Sequence, residues 1–176
     1  YFGIYARTLA RIPFFTAIGN HDYGSKKEAP GRKRFEQAYA RIHRKPRYYS
    51  FDAGAAHFVC LDTNRAYAVA AAASLEPDGD QLRWLKEDLA RSKARWKIVF
   101  MHVPLYSSAK SHGDNAWLRR VLGPIFQEHG VDAVFAGHDH IYERSRRLMG
   151  FVHVTAGTGG KKLYPGSADK LVRVGG

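Results

Sequence analysis

Two histidines with an aspartate between them follow an apolar run in the second half of the chain. Val131, Val134 and Phe135 predict a buried strand over residues 131–136, and Gly137-His138-Asp139-His140 comes directly after it. Imidazole is the commonest side-chain metal ligand, and two within three residues can serve one ion or two adjacent ions. Because α/β proteins build their sites just beyond the ends of buried strands, this turn predicts a metal site.

Two further apolar segments end in the same way. Residues 14–18 run into Gly19-Asn20-His21-Asp22, and residues 97–101 run into His102-Val103-Pro104. Both segments are predicted as strands. One polar ending would mean little, but three of them predict a single site at the carboxyl edge of one sheet, with a metal as the reason for it.

Composition bounds the class of protein. The 176 residues, 45% hydrophobic and 13% aromatic, indicate one globular domain with a sizeable core and exclude a disordered chain. No apolar run approaches a membrane span, and no secretory signal is visible, which leaves export open. The net charge of +12 attracts phosphate esters, nucleic acid or acidic surfaces, although a solvated surface explains most of these charges. Cys60, the one cysteine, is predicted to be an inert core thiol.

Strands and helices alternate along the chain, which predicts a layered α/β architecture. The third predicted helix presents three leucines on one face. The expected elements are the end of a helix in 1–13, a helix over 32–42, a hairpin of 48–52 and 57–62 turning at Gly54, a helix capped by Asp78 or Asp80 that contains Leu82, Leu85 and Leu89, a helix over Asn115–Glu128 capped by Asp114, and closing strands over 142–148 and 151–156.

Taken together, the three strand-end motifs resemble those of the metallophosphoesterase (calcineurin-like) superfamily, and its purple acid phosphatase branch matches best. That branch has Gly-Asn-His-Asp/Glu, then a histidine at a strand end, then Gly-His-x-His-x-Tyr-Glu-Arg. Residues 19–22, His102 and residues 137–144 meet this pattern in the same order. The resemblance extends from about Pro13 to Gly160 and implies a layered α/β/β/α sandwich.

The sequence also departs from the family pattern. Two motifs, Asp-x-Gly and Gly-Asp-x-x-Tyr, are expected upstream of Gly19, and neither is present. Asp52-Ala53-Gly54 has the letters of the first motif but lies after Gly-Asn-His-Asp, in the predicted hairpin. The resemblance therefore implies that residues 1–176 form the C-terminal part of a single catalytic domain that lacks its first βαβ portion, and that the bridging carboxylate lies upstream.

The resemblance implies a metal-dependent phosphoric ester hydrolase, of acid phosphatase or phosphodiesterase type, in which two ions of Fe, Zn or Mn activate hydroxide. It assigns Asn20, His102 and His138 to one metal and His140 to the other. His21 would face the substrate and protonate the leaving oxygen, and Asp22 would orient it. Three neutral ligands without a carboxylate bind a hard cation weakly, so weak or partial metallation of this chain is expected.

Several other residues have less specific expectations. His112 is either a substrate-binding histidine, as in plant-type members of the family, or an exposed loop histidine. A structural role is expected for Glu143 paired with Arg144. Structural or surface roles are likewise expected for His43, His57, His129 and His153, and a turn rather than a phosphate-binding loop is expected for Gly157-Thr158-Gly159-Gly160.

Two other classes of function stay open. One is a non-catalytic or incomplete metal-binding fragment. The other is a basic nucleic-acid-binding module, because the basic residues 41–47 adjoin Tyr48 and Tyr49, on which bases can stack. Otherwise nucleic acid is expected only as a substrate, and the family resemblance favours a secreted or periplasmic location.

Overall fold

The computed structural model of the chain describes residues 2–23, 39, 41, 44, 46–112, 114–160 and 162–164. His43 and most of the helix predicted over 32–42 lie outside these residues. Within the described ranges, no helix has the length and apolar character needed to cross a membrane. The elements are α1 (Phe2–Leu9), a 3₁₀ helix (Asn20–Tyr23), β1 (Tyr49–Ala53), β2 (Ala56–Leu61), α2 (Val69–Ser74), α3 (Asp80–Arg91), β3 (Trp96–Met101), α4 (Ala116–Glu128), β4 (Ala133–Ala136), β5 (Tyr142–Leu148) and β6 (Phe151–Ala156).

The strands form one six-stranded mixed sheet in the order β1-β2-β3-β4-β6-β5. The four inner strands are parallel, and β1 and β5 pair antiparallel at the two sides. The predicted hairpin and the predicted closing strands are confirmed. Because β3 and β4 are parallel neighbours, the residues that follow them lie side by side at one edge of the sheet.

The core lies between one face of this sheet and helices α3 and α4. Leu82, Leu85 and Leu89 of α3 are buried, as their spacing predicts, and they belong to one cluster with Val99 of β3 and Val134 of β4. Phe126 of α4 completes this cluster beneath the sheet. The core therefore fixes the strands whose ends carry the predicted ligands.

The strand predicted over residues 14–18 is wrong, because this segment is irregular. Its carbonyl groups accept hydrogen bonds from side chains instead of a neighbouring strand. The carbonyl oxygen of Thr16 accepts from the hydroxyls of Tyr39 (2.7 Å) and Tyr49 (2.8 Å), and that of Ile18 accepts from Nδ2 of Asn64 (2.8 Å). Side-chain donors thus satisfy the backbone that the apolar pattern assigned to a sheet.

The prediction that Phe135 is buried is also wrong. Val134 is fully buried, whereas Phe135 is 42% exposed, since successive residues of a strand point to opposite faces. Phe135 pairs in register with Phe100, whose ring contacts Phe51 edge-on at 6.5 Å. The face of β4 opposite the helices is therefore aromatic and partly exposed.

The helix caps differ from the predicted ones by one position. Gly79, and neither Asp78 nor Asp80, is the N-cap of α3. Asn115 caps α4, because its Oδ1 accepts a hydrogen bond from the backbone nitrogen of Leu118 at 3.0 Å. Asp114, predicted for that role, forms an ion pair with Arg119 instead.

Candidate functional site

Three predicted ligands from three separate segments meet at the carboxyl edge of the sheet. Asn20 begins the 3₁₀ helix, His102 follows β3, and His138 follows β4. Nε2 of His102 lies 2.7 Å from Oδ1 of Asn20 and 3.2 Å from Nδ1 of His138. The arrangement joins residues up to 118 positions apart in the sequence into one cluster of donor atoms.

The segment that carries Asn20 is held by hydrogen bonds at both ends. Oδ2 of Asp22 accepts from the backbone nitrogen of Gly19 at 2.7 Å. The hydroxyl of Tyr23 donates to buried Asp62 at 2.5 Å, and burial together with the charge of Asp62 raises the pKa of this phenol. Tyr23 therefore stays neutral and donates, which anchors the 3₁₀ helix to the loop after β2.

Gly19 lies directly beside the ring of His102. A Cβ atom at position 19 would lie 3.1 Å from Cε1 and 3.2 Å from Nδ1 of the His102 ring, closer than nearly all side-chain contacts. The glycine of Gly-Asn-His-Asp thus lets the backbone pass directly beside the imidazole.

The turn that carries His138 is tight and strained. His138 has a φ of +65°, a left-handed conformation that costs a non-glycine residue on the order of 1–3 kcal/mol. Backbone hydrogen bonds close the turn on both sides of Asp139, from its nitrogen to Gly137 (2.7 Å) and from Ile141 to its oxygen (2.8 Å). Such strain persists where the surrounding structure fixes the backbone, and it is typical of functional sites.

The two central imidazoles are neutral at physiological pH. Burial, followed by the effect of His138, lowers the pKa of His102 from 6.5 to about 3. Burial and the nearby His112 lower the pKa of His138 from 6.5 to about 4, against the opposing charge of Asp139. A histidine must be unprotonated to bind a metal, so the fold prepares both rings as ligands.

His21, Asp22 and His140 were also predicted at the site, and their roles stay predictions. His21 is exposed, and its charge and that of His140 both contribute to the lowered pKa of His102, which places them nearby. Nδ1 of His140 donates to the carbonyl oxygen of Lys162 at 3.0 Å, which leaves its Nε2 available as a metal ligand. The Asp22 carboxylate contacts the backbone of Gly19, so it supports the turn that carries His21.

His112, for which the sequence left two alternatives, lies beside the cluster. Its ring centroid is 4.3 Å from that of His138, and its Nδ1 is 2.9 Å from Oδ1 of Asp139. His112, His138 and Asp139 each offer one ligand atom, and these atoms lie within 4.8 Å of one another. The loop histidine is therefore part of the site region.

Two residues at the site were missed from the sequence. The hydroxyl of Tyr67 lies 3.4 Å from Nε2 of His138, although Tyr67 belongs to an alanine-rich segment without a clear period. Asp139 contacts His112. Its position between two histidines that are predicted ligands was the available signal in the sequence. Nothing in the sequence pattern pointed to Tyr67.

Two of the polar residues with expected structural roles, His153 and Glu143, have observed hydrogen-bond partners, and one expected pair is corrected. His153 is buried and its Nε2 accepts from the backbone nitrogen of Leu105 at 3.2 Å. Glu143 is buried and accepts from the backbone nitrogen of Ser108 at 2.8 Å, whereas Arg144 is exposed. The predicted Glu143–Arg144 pair is wrong, because neighbouring residues of β5 point to opposite faces of the sheet.

Comparisons with known proteins identify the family to which this sequence and fold belong. The family model of the calcineurin-like phosphoesterases matches residues 1–142. Purple acid phosphatase 15 of Arabidopsis thaliana is 32% identical over 182 residues, which covers 92% of this chain and 32% of the relative. Purple acid phosphatase 21 of the same plant is 34% identical over 181 residues, covering 92% of this chain and 39% of the relative.

Solved structures show the same fold. A purple acid phosphatase from yellow lupin (Lupinus luteus) seeds superposes with a TM-score of 0.67 at 23% identity, covering 86% of this chain and 32% of the other. A dimetal phosphatase from Danio rerio superposes with a TM-score of 0.56 at 20% identity, covering 86% and 63%. The chain spans 32–39% of the length of the two Arabidopsis relatives. It belongs to the calcineurin-like phosphoesterase family and is related to the purple acid phosphatases within it.

Proposed function

We propose that this chain carries part of the active site of a metal-dependent phosphoric ester hydrolase. The observation that supports this most strongly is the convergence of Asn20, His102 and His138 within 3.2 Å of a shared nitrogen atom. The three residues come from different segments and occupy the carboxyl edge of the sheet, where α/β proteins bind ligands.

The donor set fits a metal ion. It consists of one amide oxygen and two neutral imidazole nitrogens, which suits Fe, Zn or Mn better than a hard alkaline-earth cation. In the proposal Asn20, His102 and His138 hold one ion and His140, through Nε2, contributes to a second. Bound ions would lower the pKa of coordinated water and would neutralise the charge on the phosphoryl oxygens.

The residues of the chain have separate proposed roles. His21 is exposed beside the cluster, and an imidazolium can donate a proton to the leaving oxygen of a phosphate ester. Asp22 fixes the backbone turn on which His21 stands. Buried Asp62 anchors that turn through Tyr23, so the proton donor is held by a chain of hydrogen bonds.

The proposed substrate is a phosphate ester, and the net charge of +12 favours such anions. One relative, from Allium cepa, is named a phosphoenolpyruvate phosphatase; it is 32% identical over 164 residues and this chain covers 32% of it. A secreted or periplasmic location is part of the proposal and rests on family resemblance. Nucleic acid enters it only as a phosphodiester substrate.

The test measures hydrolysis of an aryl phosphate by the protein after reconstitution with Zn, Fe or Mn. We expect turnover that a chelator removes and that His138→Ala abolishes, since the variant lacks a ligand. His129→Ala is the matched control, because His129 caps the far end of α4. Turnover that is equal in His138→Ala and wild type would contradict the proposal, and metal binding without turnover would favour a non-catalytic metal-binding fragment.

A further inference from the structure

Asp139 is a fully buried carboxylate that has no role in the proposed reaction as described above. Its relative exposure is 0%, and its Oδ1 lies 2.9 Å from Nδ1 of His112. Its Oδ2 has no hydrogen-bond partner among the described residues. Burial of a carboxylate is costly unless the group is paired, so the contact with His112 is its principal compensation.

The contact determines which nitrogen of His112 remains available. A carboxylate oxygen accepts hydrogen bonds, so Nδ1 of His112 carries the hydrogen in this pair. The hydroxyl of Tyr164 lies 3.3 Å from the same nitrogen, on the same side of the ring. Nε2 is therefore the nitrogen that His112 can offer to a ligand, next to the ring of His138.

The backbone segments that carry the two partners of the contact are anchored. Backbone hydrogen bonds fix Asp139 in the turn, and Gly157 packs so closely that a Cβ there would lie 1.8 Å from the Asp139 carbonyl oxygen. The loop that carries His112 is anchored by hydrogen bonds from Ser108 to Glu143 (2.8 Å) and from Thr155 to the carbonyl oxygen of Tyr106 (3.2 Å). The loop that carries His112 is thus attached to the sheet, and Asp139 is held in a tight turn.

We propose that Asp139 is a positioning residue that holds the His112 ring through Nδ1 and so presents Nε2 to the phosphate ester. The inference rests on the proposed function for its substrate, although the contact itself stands without it. Of the two alternatives for His112, a substrate-binding histidine or an exposed loop histidine, the proposal selects the first. A histidine that is 43% exposed at its side chain would otherwise sample several orientations, and Asp139 selects one of them.

The first test needs no catalysis. Long-range ¹H–¹⁵N correlation spectra of the metal-free protein report which ring nitrogen of His112 carries the hydrogen. We expect the Nδ1–H form in wild type and a shift toward the Nε2–H form in Asp139→Ala. Asp114→Asn is the control, because Asp114 lies two residues from His112 but pairs with Arg119. An Nε2–H form in wild type would overturn the inference.

The second test separates positioning from metal binding. In the metal-loaded protein, Asp139→Ala should weaken binding of inorganic phosphate about tenfold with unchanged metal content, and it should have no further effect in a His112→Ala background. Additive losses in the double variant, or metal lost from Asp139→Ala, would overturn the inference and in the latter case make Asp139 a ligand. If Asp139→Ala unfolds, Asp139→Leu replaces it, because leucine has a similar branched shape and cannot accept a hydrogen bond.

The failure of the proposed function would look different. Wild-type protein without any phosphate ester turnover would contradict the hydrolase, while the hydrogen position on His112 would still decide whether Asp139 orients the ring. Conversely, an active enzyme whose phosphate affinity is the same in wild type and Asp139→Ala, with the variant folded, would remove the positioning role and leave the hydrolase intact.

Discussion

His57 and His102 lie at opposite edges of the same sheet, and their rings have different partners. His57 is near the start of β2, where Nδ1 lies 2.7 Å from Oδ1 of Asp52 and Nε2 lies 2.8 Å from Oδ2 of Asp88. His102 follows the end of β3, where Nε2 faces the amide oxygen of Asn20 and a nitrogen of His138. One ring lies between two carboxylates, and the other lies among neutral groups.

In our proposal, this difference separates a structural histidine from a metal ligand. The two carboxylates satisfy both nitrogens of His57, so the fold itself completes its hydrogen bonds. At the other edge, two imidazole nitrogens and the amide oxygen of Asn20 converge. Few hydrogen atoms are available for hydrogen bonds among these three atoms, whereas a cation could bind all of them. The partners of each ring, rather than the residue type, therefore support the carboxyl edge of the sheet as the proposed metal site.

At the carboxyl edge of the sheet, Gly157→Ala is the substitution expected to destabilise the fold most. Its Cβ would lie 1.8 Å from the Asp139 carbonyl oxygen and 3.2 Å from Cα of His140, so the turn must move. We expect a loss of about 3 kcal/mol in the free energy of unfolding, measured by urea denaturation. Gly159→Ala is the matched control, because a Cβ at Gly159 meets nothing within 4 Å. Equal stability of the two variants would show that the turn adapts.

His153 tests how burial without a hydrogen bond to a carboxylate affects stability. Burial lowers the pKa of His153 from 6.5 to about 4, and its Nε2 accepts a hydrogen bond from Leu105. Between pH 6.5 and 4 the unfolded chain binds more protons than the folded protein, so this contribution is complete above pH 6.5 and is lost as the pH falls toward 4. The loss should reach up to about 3 kcal/mol.

His153→Gln isolates this effect, because the lowered pKa values of His102 and His138 act in the same direction in both proteins. Glutamine keeps an acceptor for Leu105 but does not titrate. Urea denaturation from pH 7 to pH 4.5 should therefore show a shallower decline for the variant. Parallel declines would mean that His153 is not held neutral in the fold.

Removal of His57 tests the structural side of the comparison. His57→Ala takes a hydrogen-bond donor from Asp88, whose side chain is 12% exposed and which keeps a hydrogen bond from Ser50 at 2.9 Å. We expect the free energy of unfolding to fall by about 2 kcal/mol. Asp52→Asn should cost far less, since the Asp52 side chain is 75% exposed. A His57→Ala protein as stable as wild type would refute the structural role.

The smallest effect is expected from Gly19→Ala. The added methyl group would meet the His102 ring at 3.1 Å and displace it by a few tenths of an ångström. We expect metal affinity to fall about tenfold, by isothermal titration with Zn²⁺, with little change in stability. At Gly137 the same methyl group would lie 3.7 Å from Nδ1 of His102, an ordinary contact, so Gly137→Ala should bind metal more tightly than Gly19→Ala.

The sequence predicted the parts of the fold that depend on local pattern. The leucine spacing of α3, the hairpin turning at Gly54 and the closing strands β5 and β6 follow from periodicity and turn residues. The prediction of a strand over residues 14–18 failed because the apolar pattern does not show which groups donate hydrogen bonds to the backbone carbonyls of this segment. The prediction that Phe135 is buried failed because a run of apolar residues does not reveal that one face of a strand remains partly exposed.

The same limit applies to the site. The motifs predicted that Asn20, His102 and His138 would meet, because each stands at the start or end of an element aimed at one edge. They did not predict the contact between Asp139 and His112, which depends on how a loop folds back over the edge. Tyr67 was missed for the same reason, since its approach to His138 is a tertiary contact.

The most direct test of the account is the metal content of the chain and three single variants, by elemental mass spectrometry after equilibration with equal Zn²⁺. His102→Ala and His138→Ala should each lose the metal that wild type retains, whereas His57→Ala should retain it as long as it is folded. Loss of metal from His57→Ala, or its retention by both ligand variants, would contradict the claim that the carboxyl edge of the sheet is the metal site.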